Sequence, residues 1–297
     1  MEPYSPQRIK KIALALGLVV ALIGLSEASQ LVPRFKFAIR GFYNDHFQNP
    51  SAIFIDRKEK ELYVADNGRG EIMIFTLDGT PVFRFGRRKG LSAPKDLVVR
   101  DGSIYVVEEG KPHIMIYNYR GELEKRLKPV EDGDFMPGNM EMDERGYLYI
   151  TDIKNGGCLV LDREDRPVAR IAQGLKPISS VAVGRRVIYF IAPFHKGRVI
   201  HLYTKEGKYL KSFEAIEGRG GSLGLPVAGR VDREDNLWLV DSLRGIIVYT
   251  QEGKRIMEFG GGPPLRELLE FPIDIDFSDD NVIYILEKGR KRISVFR

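Results

Sequence analysis

LYVADNGRGEIMIFTLDGTPVFRFG, residues 62–86, is the stretch whose reading decides the fold of this 297-residue chain. It divides into three short apolar runs: ELYVAD (61–66), EIMIFT (71–76) and PVFRFG (81–86). Each is rich in β-branched and aromatic residues and too short for a stable helix, so each reads as a strand. Between them lie NGRG and the Asp78-Gly79 pair, turn signals in which glycine supplies positive φ. A fourth run, AIFID (52–56), precedes them. The unit is therefore four antiparallel strands, a to d.

Working outward, the unit repeats. Prolines stand at 50, 94, 137, 177, 226 and 272, and an aromatic follows each by 11–13 residues: Tyr63, Tyr105, Tyr149, Tyr189, Trp238 and Tyr284. Three residues later come Asp66, Glu108, Asp152, Ala192, Asp241 and Glu287. Gly79, Gly121, Asp165, Gly207 and Gly253 mark the turn between strands c and d, and Phe85, Leu127, Ile171, Phe213 and Phe259 follow six residues on. Four strands per unit of 40–50 residues, six times over, predicts an all-β, six-bladed β-propeller. The last unit stops after strand c, at Phe296-Arg297. A spare strand, Phe35–Ile39, precedes the first unit, and it is expected to complete the last blade and remove an open sheet edge.

Ahead of the repeats, RIKK (8–11) leads into 14 apolar residues, Ile12 to Leu25, followed by Ser26-Glu27-Ala28. That is the length of a signal-peptide core rather than a membrane span, with small residues at a cleavage site. The reading is residues 1–28 as a signal peptide and 29–297 as the propeller, exported to a periplasmic or extracellular space. Left uncleaved, residues 9–25 would tether the chain to a membrane.

The stretch 62–86 and its counterpart NLWLVDSLRGIIVYTQEGKRIMEFG (236–260) resemble NHL repeats. The resemblance spans residues 31–297 and implies a six-bladed, monomeric propeller serving as a binding platform. Less often, as in the peptide-amidating lyase, such a propeller is an enzyme. Related six-bladed folds include calcium-dependent lactonases, so the resemblance also implies an alternative: a metal-dependent hydrolase or lyase at the channel mouth.

Composition narrows the rest. Charged residues are 29% and hydrophobic residues 43%, the balance of a soluble globular chain. The net charge of +5 is too mild to argue for nucleic acid, and the lone Cys158 excludes an intrachain disulfide. In a propeller the b–c turns and the linkers between blades share one face. Every b–c turn here carries a cation: Arg69, Lys111, Lys154, Lys196, Arg198, Arg244, Arg290 and Arg292 among them. They predict a basic ring presented to a protein or an anionic ligand (an acidic protein, a glycan or a lipid headgroup) without catalysis. Two weaker constellations bear on a metal. Asp96, Asn139 and Asp274, each two residues past a repeat proline, offer hard oxygens for Ca²⁺. His46, His113 and His195 fall on the same face and would suit Zn²⁺. No catalytic motif is visible, and no cofactor is expected.

Overall fold

The computed structural model describes residues 33–130, 135–218, 221–261 and 269–297. The expected signal segment lies outside them. The described residues form six four-stranded antiparallel sheets in a ring. The innermost strands are Pro50–Asp56, Pro94–Arg100, Pro137–Met142, Ser180–Val183, Pro226–Val231 and Pro272–Phe277. Each begins at or just after a repeat proline, because a residue without an N–H is tolerated at the first position of a strand. In blade 1, strand a pairs with Glu61–Asp66, which pairs with Glu71–Thr76, which pairs with Pro81–Phe85.

Blade 6 closes as expected. Phe35–Ile39 lies antiparallel to Arg292–Phe296, with Phe35 opposite Phe296, Phe37 opposite Val295 and Ile39 opposite Ile293. Phe35 meets Phe296 edge-on at 5.8 Å, and Arg34 and Arg297 exchange two backbone hydrogen bonds. Ile39 is buried, in one apolar cluster with Phe75 of blade 1 and Ile293 of blade 6.

Two of the repeat signals meet across blade boundaries. Gly121, in the c–d turn of blade 2, has φ +68, and a Cβ there would lie 2.4 Å from the ring of Phe85, the last residue of strand d in blade 1. Gly79 faces Ile39, Gly207 faces Ile171 and Gly253 faces Phe213 in the same way. Each turn glycine thus leaves room for the apolar residue that ends the preceding blade. Blade 3 has Asp165 instead, and there Arg100 of blade 2 and Lys125 reach the carboxylate.

Candidate active site in the axial channel

The channel mouth on the b–c face is assembled by the acids that end the b strands. Each is buried and accepts N–H groups from both its own turn and the incoming linker. Asp66 accepts from Gln48, Asn49 and Arg69. Asp241 accepts from Gly224, Leu225, Leu243 and Arg244. Burial alone would raise the Glu108 carboxyl, but Lys111, Ser92 and the Ala93 N–H outweigh it and hold the group below its ordinary range. Charge-assisted bonds of this kind are roughly twice as strong as neutral ones, so the mouth is rigid where these acids stand. In blade 4 the position is Ala192, and the His195 ring nitrogen, 3.3 Å from the Lys176 carbonyl, links turn to linker instead.

Inside the mouth the innermost strands carry two polar tiers. The upper tier is Asp96, Asn139 and Asp274. Asp274 accepts from Ile53 N–H of blade 1 at 2.8 Å and from Ile275 N–H. Asp96 accepts from Leu97 N–H, and at 2.7 Å from both Asn139 Nδ2 and Met140 N–H of blade 3. Asn139 Oδ1 in turn accepts from Val181 N–H of blade 4. The lower tier is Glu141, Arg230 and Asp276. Arg230, from blade 5, forms an ion pair with Glu141 of blade 3 and donates to the carbonyls of Ile275 and Ile53. Asp276 accepts from Ile55 N–H and from Arg57.

The upper tier is chemically unusual. Burial pushes the Asp96 carboxyl up to about 6, against the opposing pull of the Met140 N–H and the Arg230 charge. Burial pushes Asp274 up to about 7; the nearby Asp96 charge adds to the rise and Arg230 moderates it. Asp274 nevertheless keeps part of its surface accessible. A carboxyl that titrates near neutrality can both take and return a proton at the operating pH.

A large opening lies at the other end. A funnel of about 1390 Å³ is bounded by the a–b turns; its lining reaches Glu141, Arg230 and Asp276 and stops short of Asp96 and Asp274. Five of its cations pair with acids of neighbouring blades: Arg57 with Asp276, Arg163 with Asp101, Arg185 with Glu144, Arg186 with Asp235 and Arg233 with Asp279. Most of the charged pairs around this funnel join neighbouring blades.

The basic ring does not stand as a field of unpaired charge. Lys111 is held by Glu108 at 2.6 Å, Arg244 by Glu217 at 2.7 Å and Arg292 by Glu287 at 2.7 Å. Arg290 lies 3.4 Å from both Glu270 and Glu287, and Arg69 donates to the His46 carbonyl and approaches Asp45. Lys154 caps the turn held by Asp152, while Lys196 and Arg198 are exposed in the blade 4 turn. For the metal candidates, no group of three or more His, Cys, Asp or Glu side chains able to hold an ion occurs among the described residues. His195 packs against the His201 ring at 5.4 Å, and His46 and His113 join neither in a ligand set. Asn139 turns its amide N–H toward Asp96 and has its oxygen engaged by Val181, so the trio as it stands is a blade-to-blade lock and does not fit a divalent cation. The lower tier was missed. Its signal was a charged residue four past the repeat proline, at Glu141, Arg230 and Asp276, where Phe54 and Val98 show the position to be otherwise apolar.

A six-bladed ring with titratable groups on its axis defines the class. No family model matches the sequence, NHL repeats included, and no curated protein matches it. Solved structures do. A gluconolactonase from Xanthomonas campestris superposes with a TM-score of 0.67 at 15% identity, covering 89% of this chain and 94% of that one. Virginiamycin B lyase from Staphylococcus aureus gives 0.60 at 16% identity, covering 87% and 83%. A luciferin-regenerating enzyme gives 0.63 at 13% identity, covering 84% and 91%. At such identities the likeness establishes the fold. These neighbours are enzymes, and they overturn the expectation of a non-catalytic basic platform; of that expected ring Lys111, Arg244, Arg290 and Arg292 are ion-paired, while Lys196 and Arg198 stay exposed.

Proposed function

We propose that this chain is a hydrolase acting on small esters, lactones first among them, with Asp274 as its proton-transfer group. The observation that carries the reading is a largely buried carboxyl that keeps part of its surface accessible, with its titration moved to about 7, beside a second buried carboxyl. In its ionised form Asp274 takes a proton from water. The water oxygen bonds to the ester carbonyl carbon, the bond from that carbon to the leaving oxygen breaks, and Asp274 returns the proton to the departing alkoxide. Asp96 and Arg230 act as positioning residues, one raising and the other restraining the basicity of Asp274. The likeness to a gluconolactonase supports the substrate class. The likeness to virginiamycin B lyase supports a second reading, in which Asp274 abstracts a carbon-bound proton in an elimination. What the chain could offer a Ca²⁺ or Zn²⁺ here is two carboxylates whose oxygens already accept N–H bonds, so no step is routed through an ion.

The test is hydrolysis of a lactone panel across pH 5–9, with and without chelator. Turnover should rise through about pH 7 and survive chelation. Asp274→Asn should abolish it while circular dichroism still reports a folded ring. Turnover at the uncatalysed rate throughout the panel, in chelated and in Ca²⁺- or Zn²⁺-supplemented buffer alike, would overturn the reading.

A further inference from the structure

The mouth above Asp274 is unequal around its circumference. In five blades the residue that follows strand b donates its N–H to the residue just before the repeat proline: Asn67 to Asn49, Glu109 to Ala93, Ile153 to Met136, Ser242 to Leu225 and Lys288 to Phe271. These pairs therefore ring the channel. On blades 1 and 2 the ring is polar, with Asn67 donating to Glu109. Across blades 3 to 6, beside Ser242 and the exposed Lys288, the ring and its adjoining turns carry bare apolar side chains: Ile153, Phe194, Leu225, Leu243 and Phe271 are between 39% (Leu225) and 60% (Leu243) exposed. Of the other large exposed apolar residues, Tyr43 lies in the hairpin before blade 1, and the rest, such as Val82, Tyr119 and Leu210, lie on outer strands or c–d turns.

Three features tie the apolar arc to the channel. Ile153 packs over Gly138, the second residue of an innermost strand, and Leu243 packs over Gly224 at the start of another. Phe271 stands three residues before Asp274, about 10 Å along an extended chain. Phe271 is also held at φ +51, a conformation an aromatic residue rarely adopts, while its ring stays half in solvent. Strain without a packing return concentrates at functional sites. Leu225 and Leu243 are fixed by their N–H bonds to the buried Asp241, so this part of the arc is preorganised.

We infer that the arc on blades 3 to 6 binds the apolar body of the substrate, so that the preferred ester or lactone carries an alkyl or aryl chain. Its polar reacting end then points down to Asp274, and its tail lies on Ile153, Phe194, Leu225, Leu243 and Phe271. The inference rests on the hydrolase reading for the reacting end alone, because the apolar recognition is a binding property in its own right.

The experiment uses γ-lactones from butyrolactone to dodecalactone for turnover, and the matching alkyl γ-lactams, which are not opened, for calorimetric binding. KM for the lactones and Kd for the lactams should fall with chain length, by up to about fourfold per methylene while the chain is being covered. Phe194→Ser, Leu243→Ser and Phe271→Asn (asparagine tolerates positive φ) should each flatten that slope, and Tyr119→Ser should leave it in place. Chain-dependent lactam binding without lactone opening would uphold the apolar site and sink the hydrolase. Lactone opening with KM independent of chain length would do the reverse. Lactams that bind without chain dependence, or fail to bind, would overturn the inference.

Discussion

Replacing Arg230 by Met probes both the ring and the chemistry. The guanidinium is buried, forms an ion pair with Glu141 and donates to two carbonyls from different blades. Methionine fills much of the space but leaves Glu141 as a buried, uncompensated carboxylate and two carbonyls without their donor. Removing one partner of a buried pair costs about 3–5 kcal/mol. The same change strips away the positive charge that moderates Asp96 and Asp274, so both should titrate higher. Urea unfolding should therefore report a loss of about 3–5 kcal/mol for Arg230→Met, and Arg230→Met combined with Glu141→Gln should recover part of it. The midpoint of the pH–rate profile should move to higher pH in both variants. A single variant within 1 kcal/mol of the parent, with an unmoved pH midpoint, would refute the placement of this charge at the centre of the channel.

Deleting residues 29–42 should expose the edge of Arg292–Phe296 and remove the partly buried Phe35 and Phe37 and the buried Ile39, the last alone worth about 1.5–3 kcal/mol. The shortened chain should aggregate or melt far lower, and a melt matching the parent's would disprove the closure. Stability should also rise as pH falls from 8 to 6.5. Folded Asp274 and Asp96 titrate at about 7 and about 6. Over this range the folded chain takes up protons that the unfolded chain, with ordinary carboxyls near 4, does not bind, a slope of up to about 1.4 kcal/mol per pH unit for each proton. His201, depressed by burial, opposes the gain once pH drops below the ordinary histidine value of 6.5, so the upper window isolates the acids. A flat thermal denaturation midpoint between pH 8 and 6.5 would rule the shifts out.

The ring was legible because its signals are backbone signals. A proline at or just before the start of a strand, an aromatic at a nearly fixed distance and a turn glycine facing the preceding blade recur with the period of the fold. The b-strand acids were legible as a pattern, but their duty was not. Asp66 and Asp241 chiefly accept N–H bonds, and only the folded linker brings several of those donors close. Asp96, Asn139 and Asp274 were legible by their shared offset, but not their hydrogen bonds across blades, since sequence does not tell which way an amide points. Arg230 and Glu141 lie 89 positions apart on different blades, so their pairing is a product of ring closure. The apolar arc escaped notice because each member is a single residue in a different turn, ordinary alone.

The two backbone bonds between Arg34 and Arg297 give the molecule a property of circles. With both ends of the described ring held side by side, no blade is first in any physical sense. The numbering marks where the polymer happens to be cut, while the stabilising contacts continue across that cut as they do between any two blades. A gene rearranged to splice 297 onto 34 through a short bridge, and reopened at the exposed turn near Tyr119, would encode the same torus from a different starting point. Blade 6 would then be a contiguous hairpin stack, and the burden of closure would pass to blade 2.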